Sequence, residues 1–180
     1  MNTDSFALMW ETASATPGGF VDYQGGAPKI DFLQFLVEEK RLLLHGSNWD
    51  VAVLEPRLAN CKSKKFGNLN AVYAVEDPML PIFYAVKDKN KFNGVAVSGT
   101  TQDGDKPKKY VFKVEQQMLN TQPWSAGVVY ILSREGFEQG TDDDDFPIDE
   151  YISRIPVTPL AKLAVSPHDF PYLGSIKSLQ

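Results

Sequence analysis

The spacing of apolar side chains divides this chain into a helical opening and a strand-rich remainder. Phe32, Leu33, Phe35 and Leu36 recur at helical spacing and give way to Glu38-Glu39-Lys40, which predicts a short amphipathic helix with Asp31 as its N-cap. Before it, Pro17-Gly18-Gly19 and Gly25-Gly26-Ala27-Pro28 punctuate residues 11–29, which read as an extended or looping arm outside the core. The run Arg41-Leu42-Leu43-Leu44-His45 ends at Gly46 and reads as a buried strand stopped by a loop. Residues 71–75 predict a second strand, and Asp77-Pro78 then supplies a cap and a first-turn proline for a helix over 79–87. From there, short runs rich in valine and aromatics at 94–98, 109–114, 127–132 and 161–165 predict strands, with another at 151–155.

Helices gathered toward the first half and strands toward the second argue for an α+β fold and against a repeating βαβ arrangement. The 180 residues suit one domain, an arm at 1–29 followed by a core at 30–180. With 43% apolar and 23% charged residues, the chain can build its own core without staples.

The net charge of −5 conceals a partition: residues 61–113 carry 10 basic and 5 acidic side chains, whereas both flanking segments are acidic. The positive charge lies in Lys62-Ser63-Lys64-Lys65, Lys87-Asp88-Lys89-Asn90-Lys91 and Lys106-Pro107-Lys108-Lys109. Lysines in turns read first as solvated surface, with a phosphate-bearing ligand as the alternative, and duplex nucleic acid is not indicated. The aspartates at 142–145 read as an exposed loop, because a calcium loop needs alternating ligands and a distal bidentate Glu.

The lone cysteine, Cys61, has no partner for a disulfide, and with two histidines it is too little for a Cys/His zinc cluster, so no metal is expected. No basic start with an apolar run opens the chain, and no stretch approaches the roughly 18 apolar residues of a membrane helix, so a cytoplasmic protein without a membrane partner is the expectation. A toxin delivered by a specialised route would look the same. Gly-x-Gly-x-x-Gly after a strand, the P-loop pattern and Gly-x-Ser-x-Gly are all missing, which removes support for the commonest nucleotide and hydrolase sites. His168, in Ser166-Pro167-His168-Asp169, reads as a turn residue, and Cys61 as a surface or edge thiol.

The candidate chemistry lies where the first strand ends. His45 closes a buried run, where packing can hold its ring while a polar edge faces a cleft. Gly46 has no Cβ to keep a ligand from the backbone. A backbone N–H and C=O there, with the hydroxyl of Ser47, would suit a planar carboxamide. Alone, such a junction reads first as a structural histidine. Tyr73, in a strand, and Tyr84, eleven residues on in the following helix, can approach one another and sandwich a flat ring, although tyrosines in such elements usually belong to a core.

Taken in order, His45-Gly46-Ser47, Tyr73-Ala74, Tyr84-Ala85 and Asp149-Glu150-Tyr151-Ile152 resemble the ADP-ribosyltransferases of the H-Y-E type, which include diphtheria toxin and the poly(ADP-ribose) polymerases. The resemblance runs from about residue 42 to 165 and rests on short motifs. It implies an ADP-ribosyltransferase-like split β-sheet core with short helices, and NAD as a substrate whose nicotinamide–ribose bond is cleaved for mono-ADP-ribosyl transfer to an acceptor, protein or nucleic acid. In that scheme His45 bonds a ribose hydroxyl, Gly46 and Ser47 hold the nicotinamide amide, Tyr73 and Tyr84 stack on its ring, and Glu150 is the catalytic carboxylate. Arg57, Lys62 or Lys64 would meet the pyrophosphate. No Glu-x-Glu precedes Tyr151, which departs from the arginine-modifying branch, and the loop after the histidine strand is short. Two alternatives accompany this expectation: an inactive relative that binds ADP-ribose, NAD or a protein in the same cleft, and an RNA 2′-phosphotransferase-like enzyme.

Overall fold

A computed structural model of the chain describes residues 3–58, 68–91, 94–101, 107–141 and 146–179. In chain order its elements are α1 (Thr3–Ser14), α2 (Lys29–Glu38), β1 (Leu43–Ser47), β2 (Arg57–Leu58), β3 (Asn70–Val75), α3 (Met79–Val86), β4 (Ala96–Thr101) and β5 (Lys109–Val114). There follow α4 (Gln116–Thr121), β6 (Gly127–Leu132), β7 (Glu138–Thr141), β8 (Pro147–Ser153), β9 (Ala161–Val165) and β10 (Lys177–Ser178). The architecture mixes helices with antiparallel and mixed sheets. No helix among the described residues is long and apolar enough to cross a membrane.

The larger sheet has the order β7-β8-β3-β1-β6-β9, with β2 paired to the start of β3, and the smaller one the order β10-β5-β4. Alternation along each strand sends side chains to two faces. One face carries Leu44, Val129, Ile131 and Leu163, which pack in a large core with α1, α2, α3 and the smaller sheet. The other carries Leu43, Val72, Ala74, Val128, Tyr130 and Tyr151, a smaller cluster completed by Leu54 from the loop after β1. That loop is tied down by the fully buried Tyr130, whose hydroxyl donates to Trp49 O at 2.6 Å and accepts from Val51 N at 2.9 Å.

The centre of the larger sheet is forked. β1 runs along β6 from Leu43↔Leu132 to Ser47↔Val128. β3 runs along β8 from Val72↔Ser153 to Val75↔Glu150. Between β1 and β3, however, the only register pair among the described residues is Leu44↔Val75, so the two halves part beyond that rung.

Helix α3 lies hard against the β1 side of the fork. A Cβ at Gly46 of β1 would run into the Pro81 carbonyl, and one at Gly127 of β6 into the Ala85 carbonyl, one helical turn further on. The missing Cβ of Gly46 thus makes room for the helix. Asp77, 2% exposed, caps α3 as expected, its Oδ1 accepting from Met79 N at 2.9 Å and Leu80 N at 3.1 Å.

Other expectations shift. The helix expected to start at Asp31 begins at Lys29 after Pro28, leaving Asp31 in the first turn, where a carboxylate suits the helix dipole. The last part of the first strand's run is strand, but Arg41 adopts φ 55° and turns the chain out of α2. The expected arm is partly helix, because residues 11–14 belong to α1, whose Phe6 packs edge-on against Phe32. The rest lies along β9: Val21 is buried, its N–H bonds Lys162 O at 2.7 Å, and Lys162 N bonds Gly19 O at 2.8 Å. The strand expected at 151–155 lies at Pro147–Ser153. His168 sits in a 3-10 turn under a Ser166 capping box, in keeping with its reading as a turn residue.

Candidate ligand-binding cleft

A cleft of about 310 Å³ opens where β1 and β3 part. His45, Gly46 and Ser47 line it from β1, Tyr73 from β3, Tyr84 from α3 and Arg57 from β2. These six residues, far apart in the chain, are the ones singled out in the sequence for the cofactor.

His45 bridges the fork. Its Nδ1 lies 2.7 Å from the Tyr73 carbonyl oxygen. A carbonyl only accepts, so Nδ1 carries the proton and Nε2 is the ring's acceptor. Burial lowers the imidazole pKa from 6.5 to about 4; the Tyr73 carbonyl opposes this, and the charges of Lys89 and Arg57 reinforce it. At neutral pH the ring is an uncharged acceptor of fixed tautomer, 5.9 Å from the Tyr130 ring that backs it.

Ser47 is buried, and its Oγ lies 3.3 Å from both the Trp49 backbone N and Lys89 Nζ. Both neighbours donate. The hydroxyl's acceptor positions are thereby taken and its own proton is left to donate outward. Tyr73 is held by Leu69, accepting from its N–H at 2.9 Å and donating to its carbonyl at 3.2 Å. Tyr84 is 41% exposed, its hydroxyl 2.8 Å from Ser98 Oγ and its ring 4.4 Å from Lys87 Nζ.

Sequence reasoning missed Trp49, Lys87 and Lys89, all of which line the cleft. Both lysines read first as solvated turn residues; Lys89 does lie in the turn after α3, whereas Lys87 pairs with Trp124 in a β-bridge. What carries them to the cleft is Asn48, whose Nδ2 donates to Ser125 Oγ and Ala126 O, each at 2.9 Å, while its Oδ1 accepts from Lys89 N at 3.3 Å. The end of β1 is thus fastened to the turn after α3. A usable signal was present, since Lys87 follows Tyr84 by three residues, one helical turn. Burial, then the charge of Lys89, brings the Lys87 pKa down to about 8. Lys89 Nζ sits 4.5 Å from the Trp49 ring centroid and the Arg57 guanidinium 5.8 Å from it. Burial, and then the charge of Arg57, lowers the Lys89 pKa as well.

Glu150 is not brought to this wall. It is half-buried and does not line the cleft. Through Leu44↔Val75 and Val75↔Glu150 it shares the α3 face of the sheet with Tyr73, whereas His45, next to Leu44, leaves from the opposite face. Two strand spacings, roughly 10 Å, separate β8 from β1. Cys61, Lys62, Lys64 and the aspartates at 142–145 lie outside the described residues. Among the described residues no group of three or more His, Cys, Asp or Glu side chains is arranged to hold a metal ion.

Among the described residues the arrangement is a neutral acceptor, a committed hydroxyl donor beside it, tyrosines on the walls and three cations against one lining acid, Glu55. Such a site suits a planar polar head joined to an anionic tail. No protein-family model, curated protein or solved structure matches this chain.

Proposed function

We propose that the chain is an ADP-ribosyltransferase-like domain, its forked sheet the split core of that fold, and that the cleft binds NAD as the substrate of mono-ADP-ribosyl transfer. The observation that carries this reading is the gathering of His45, Gly46, Ser47, Tyr73, Tyr84 and Arg57 around one cleft at the fork. In this reading His45 Nε2 accepts a bond from a ribose hydroxyl, and the Ser47 proton goes to the amide oxygen of the nicotinamide. Backbone groups of Gly46 serve the same amide, Tyr73 and Tyr84 flank the ring, and Arg57 faces the pyrophosphate. Glu150 is the carboxylate that would stabilise positive charge on the ribose as nicotinamide departs.

The test is nicotinamide release from NAD, followed by chromatography, with and without candidate protein and RNA acceptors. Wild type is expected to release nicotinamide, and Glu150→Gln to bind NAD with similar affinity while releasing it about 100-fold more slowly. Equal rates in the two proteins remove Glu150 from the mechanism.

Glu150 does not line the cleft, which favours a second reading: an inactive relative that holds NAD or ADP-ribose without turnover. Saturable NAD binding with no nicotinamide released selects it. Absence of both binding and release ends both readings.

A further inference from the structure

The mouth of the cleft holds an arrangement that the fold does not need for itself. Arg57 and Lys89 reach the same exposed indole, Trp49, from β2 and from the turn after α3. Their charges repel, and no carboxylate among the described residues forms an ion pair with either. Elsewhere the described lysines close to the body of the protein meet acids: Lys108 lies 3.0 Å from Asp149, Lys162 2.7 Å from Asp50 and Lys29 3.1 Å from Asp169. Two like charges held together beside a cleft cost free energy, which an anion placed between them recovers. The floor feels both cations too, because each depresses the His45 pKa.

We infer that Lys89 is the residue that makes the cleft select a pyrophosphate-bearing ligand: with Arg57 across the Trp49 indole it forms an anion subsite, and through Ser47 Oγ it fixes the donor that reads the ligand's neutral head. This inference rests on the reading of the cleft as a nucleotide site, and it assigns the tail of that ligand to residues outside the H-Y-E motif. The ammonium is placed for two tasks. At 3.3 Å from Ser47 Oγ it occupies an acceptor position of the hydroxyl and so aims the hydroxyl proton away from itself. At 4.5 Å from the Trp49 centroid it keeps partial compensation for its charge while donors remain for phosphate oxygens. Arg57 supplies the planar fork that pairs with two such oxygens at once.

The probes are inorganic pyrophosphate, ADP, adenosine and nicotinamide, titrated calorimetrically into the intact protein at low ionic strength. Pyrophosphate and ADP are expected to bind. Lys89→Met, which keeps the apolar stem, weakens both by about tenfold or more; Lys89→Arg restores most of the loss; and Arg57→Met weakens both by a similar factor. Lys40→Met, which removes another cation lying over an aromatic ring, Phe35, leaves binding unchanged. The His45 imidazole, followed by NMR, gains proton affinity when pyrophosphate is added to wild type and does not when it is added to Lys89→Met.

The inference is overturned if pyrophosphate and ADP bind Lys89→Met and Arg57→Met as they bind wild type, if Lys40→Met weakens them equally, or if wild type takes adenosine and neither anion. Its fate separates from that of the NAD reading. Pyrophosphate held through Lys89, with no binding of nicotinamide and no preference for NAD over ADP, keeps this inference and removes NAD. NAD binding that competes with nicotinamide and ignores Lys89→Met does the reverse.

Discussion

Two polar clusters flank helix α3, and they are built on opposite principles. At its N-terminus, Asp77 accepts from two backbone N–H groups, from the Tyr110 hydroxyl at 2.8 Å and from Lys108 at 3.3 Å, and Lys108 continues to Asp149. Every donor has an acceptor and every charge its opposite. At the C-terminus, Lys87, Lys89 and Arg57 crowd one cleft with Glu55 as its only lining acid among the described residues, and burial and repulsion by neighbouring cations depress both lysine pKa values. A cluster that satisfies itself welds the smaller sheet to the helix. Lys89 and Arg57 form no ion pair among the described residues, and like charges held close together depart from the rule that the first cluster obeys.

The comparison fails first if Asp77 is dispensable. Asp77→Ala removes the cap of α3 and leaves Lys108 and Tyr110 without their shared acceptor in a site that is 2% exposed, so the expected cost is about 3–5 kcal/mol. Urea denaturation followed by circular dichroism measures it. A loss below 1 kcal/mol would mean that the network is ornamental. The Tyr110 phenol, pushed well above its usual range by burial and the bond to Asp77, should then titrate at lower pH in the variant.

Gly46→Ala comes next. The new methyl would meet the Pro81 carbonyl, which is backbone inside a packed helix and cannot swing aside, so a loss of about 2–3 kcal/mol is expected. The effect on stability should exceed any effect on ligand affinity beyond what unfolding explains. A variant of normal stability with lost NAD affinity would return Gly46 to the role the sequence suggested.

How much of this was legible depends on what kind of signal each part left. β5, β6 and β9 lie at the bounds their runs of valine and aromatics gave, because nearly every residue of such a run is apolar and its ends are marked by turns. α1 was missed because its apolar residues run consecutively from Phe6 to Trp10, Leu8 among them exposed, instead of recurring at helical spacing, and the helix is stabilised by packing on α2 rather than by a visible stripe. β7 and β8 were missed or shifted because Glu138-Gln139-Gly140-Thr141 and Pro147-Ile148-Asp149-Glu150 carry exposed polar residues whose pairing, not hydrophobicity, makes them strands. In the site, motif order led to His45, Ser47, Tyr73 and Tyr84. Lys87 left a signal in its spacing from Tyr84, but the place of Lys89 was not legible, since a sequence does not reveal that Asn48 will fasten the turn after α3 beside β1. Nor does a motif disclose how near a side chain comes to a cleft, and Glu150 does not line this one.

A smaller effect tests the floor of the cleft. The folded His45 resists protonation until about pH 4, whereas the unfolded chain takes that proton near 6.5. The unfolded state therefore binds more protons between those values, and stability falls as pH is lowered through that window. His45→Gln lacks this titration, so wild type should lose more stability than the variant between pH 7 and pH 4.5. Parallel losses would mean that the ring is already charged or freely solvated.

The smallest effect on stability belongs to Lys89, and it distinguishes the two clusters most sharply. Lys89→Gln removes a cation that forms no ion pair among the described residues and repels Lys87 and Arg57, while its amide can still donate to Ser47. Unfolding free energy should change by no more than about 0.5 kcal/mol, and a gain is as acceptable as a loss, because surface substitutions away from a satisfied network seldom exceed that. The proton affinities should move even so: with the Lys89 charge gone, His45 and Lys87 both bind protons more tightly, their pKa values rising from about 4 and about 8 respectively. NMR titration of the imidazole and of the Lys87 side chain reads both. A destabilised Lys89→Gln protein with unmoved pKa values would make Lys89 a structural partner like Lys108, and the two ends of α3 would then obey the same rule.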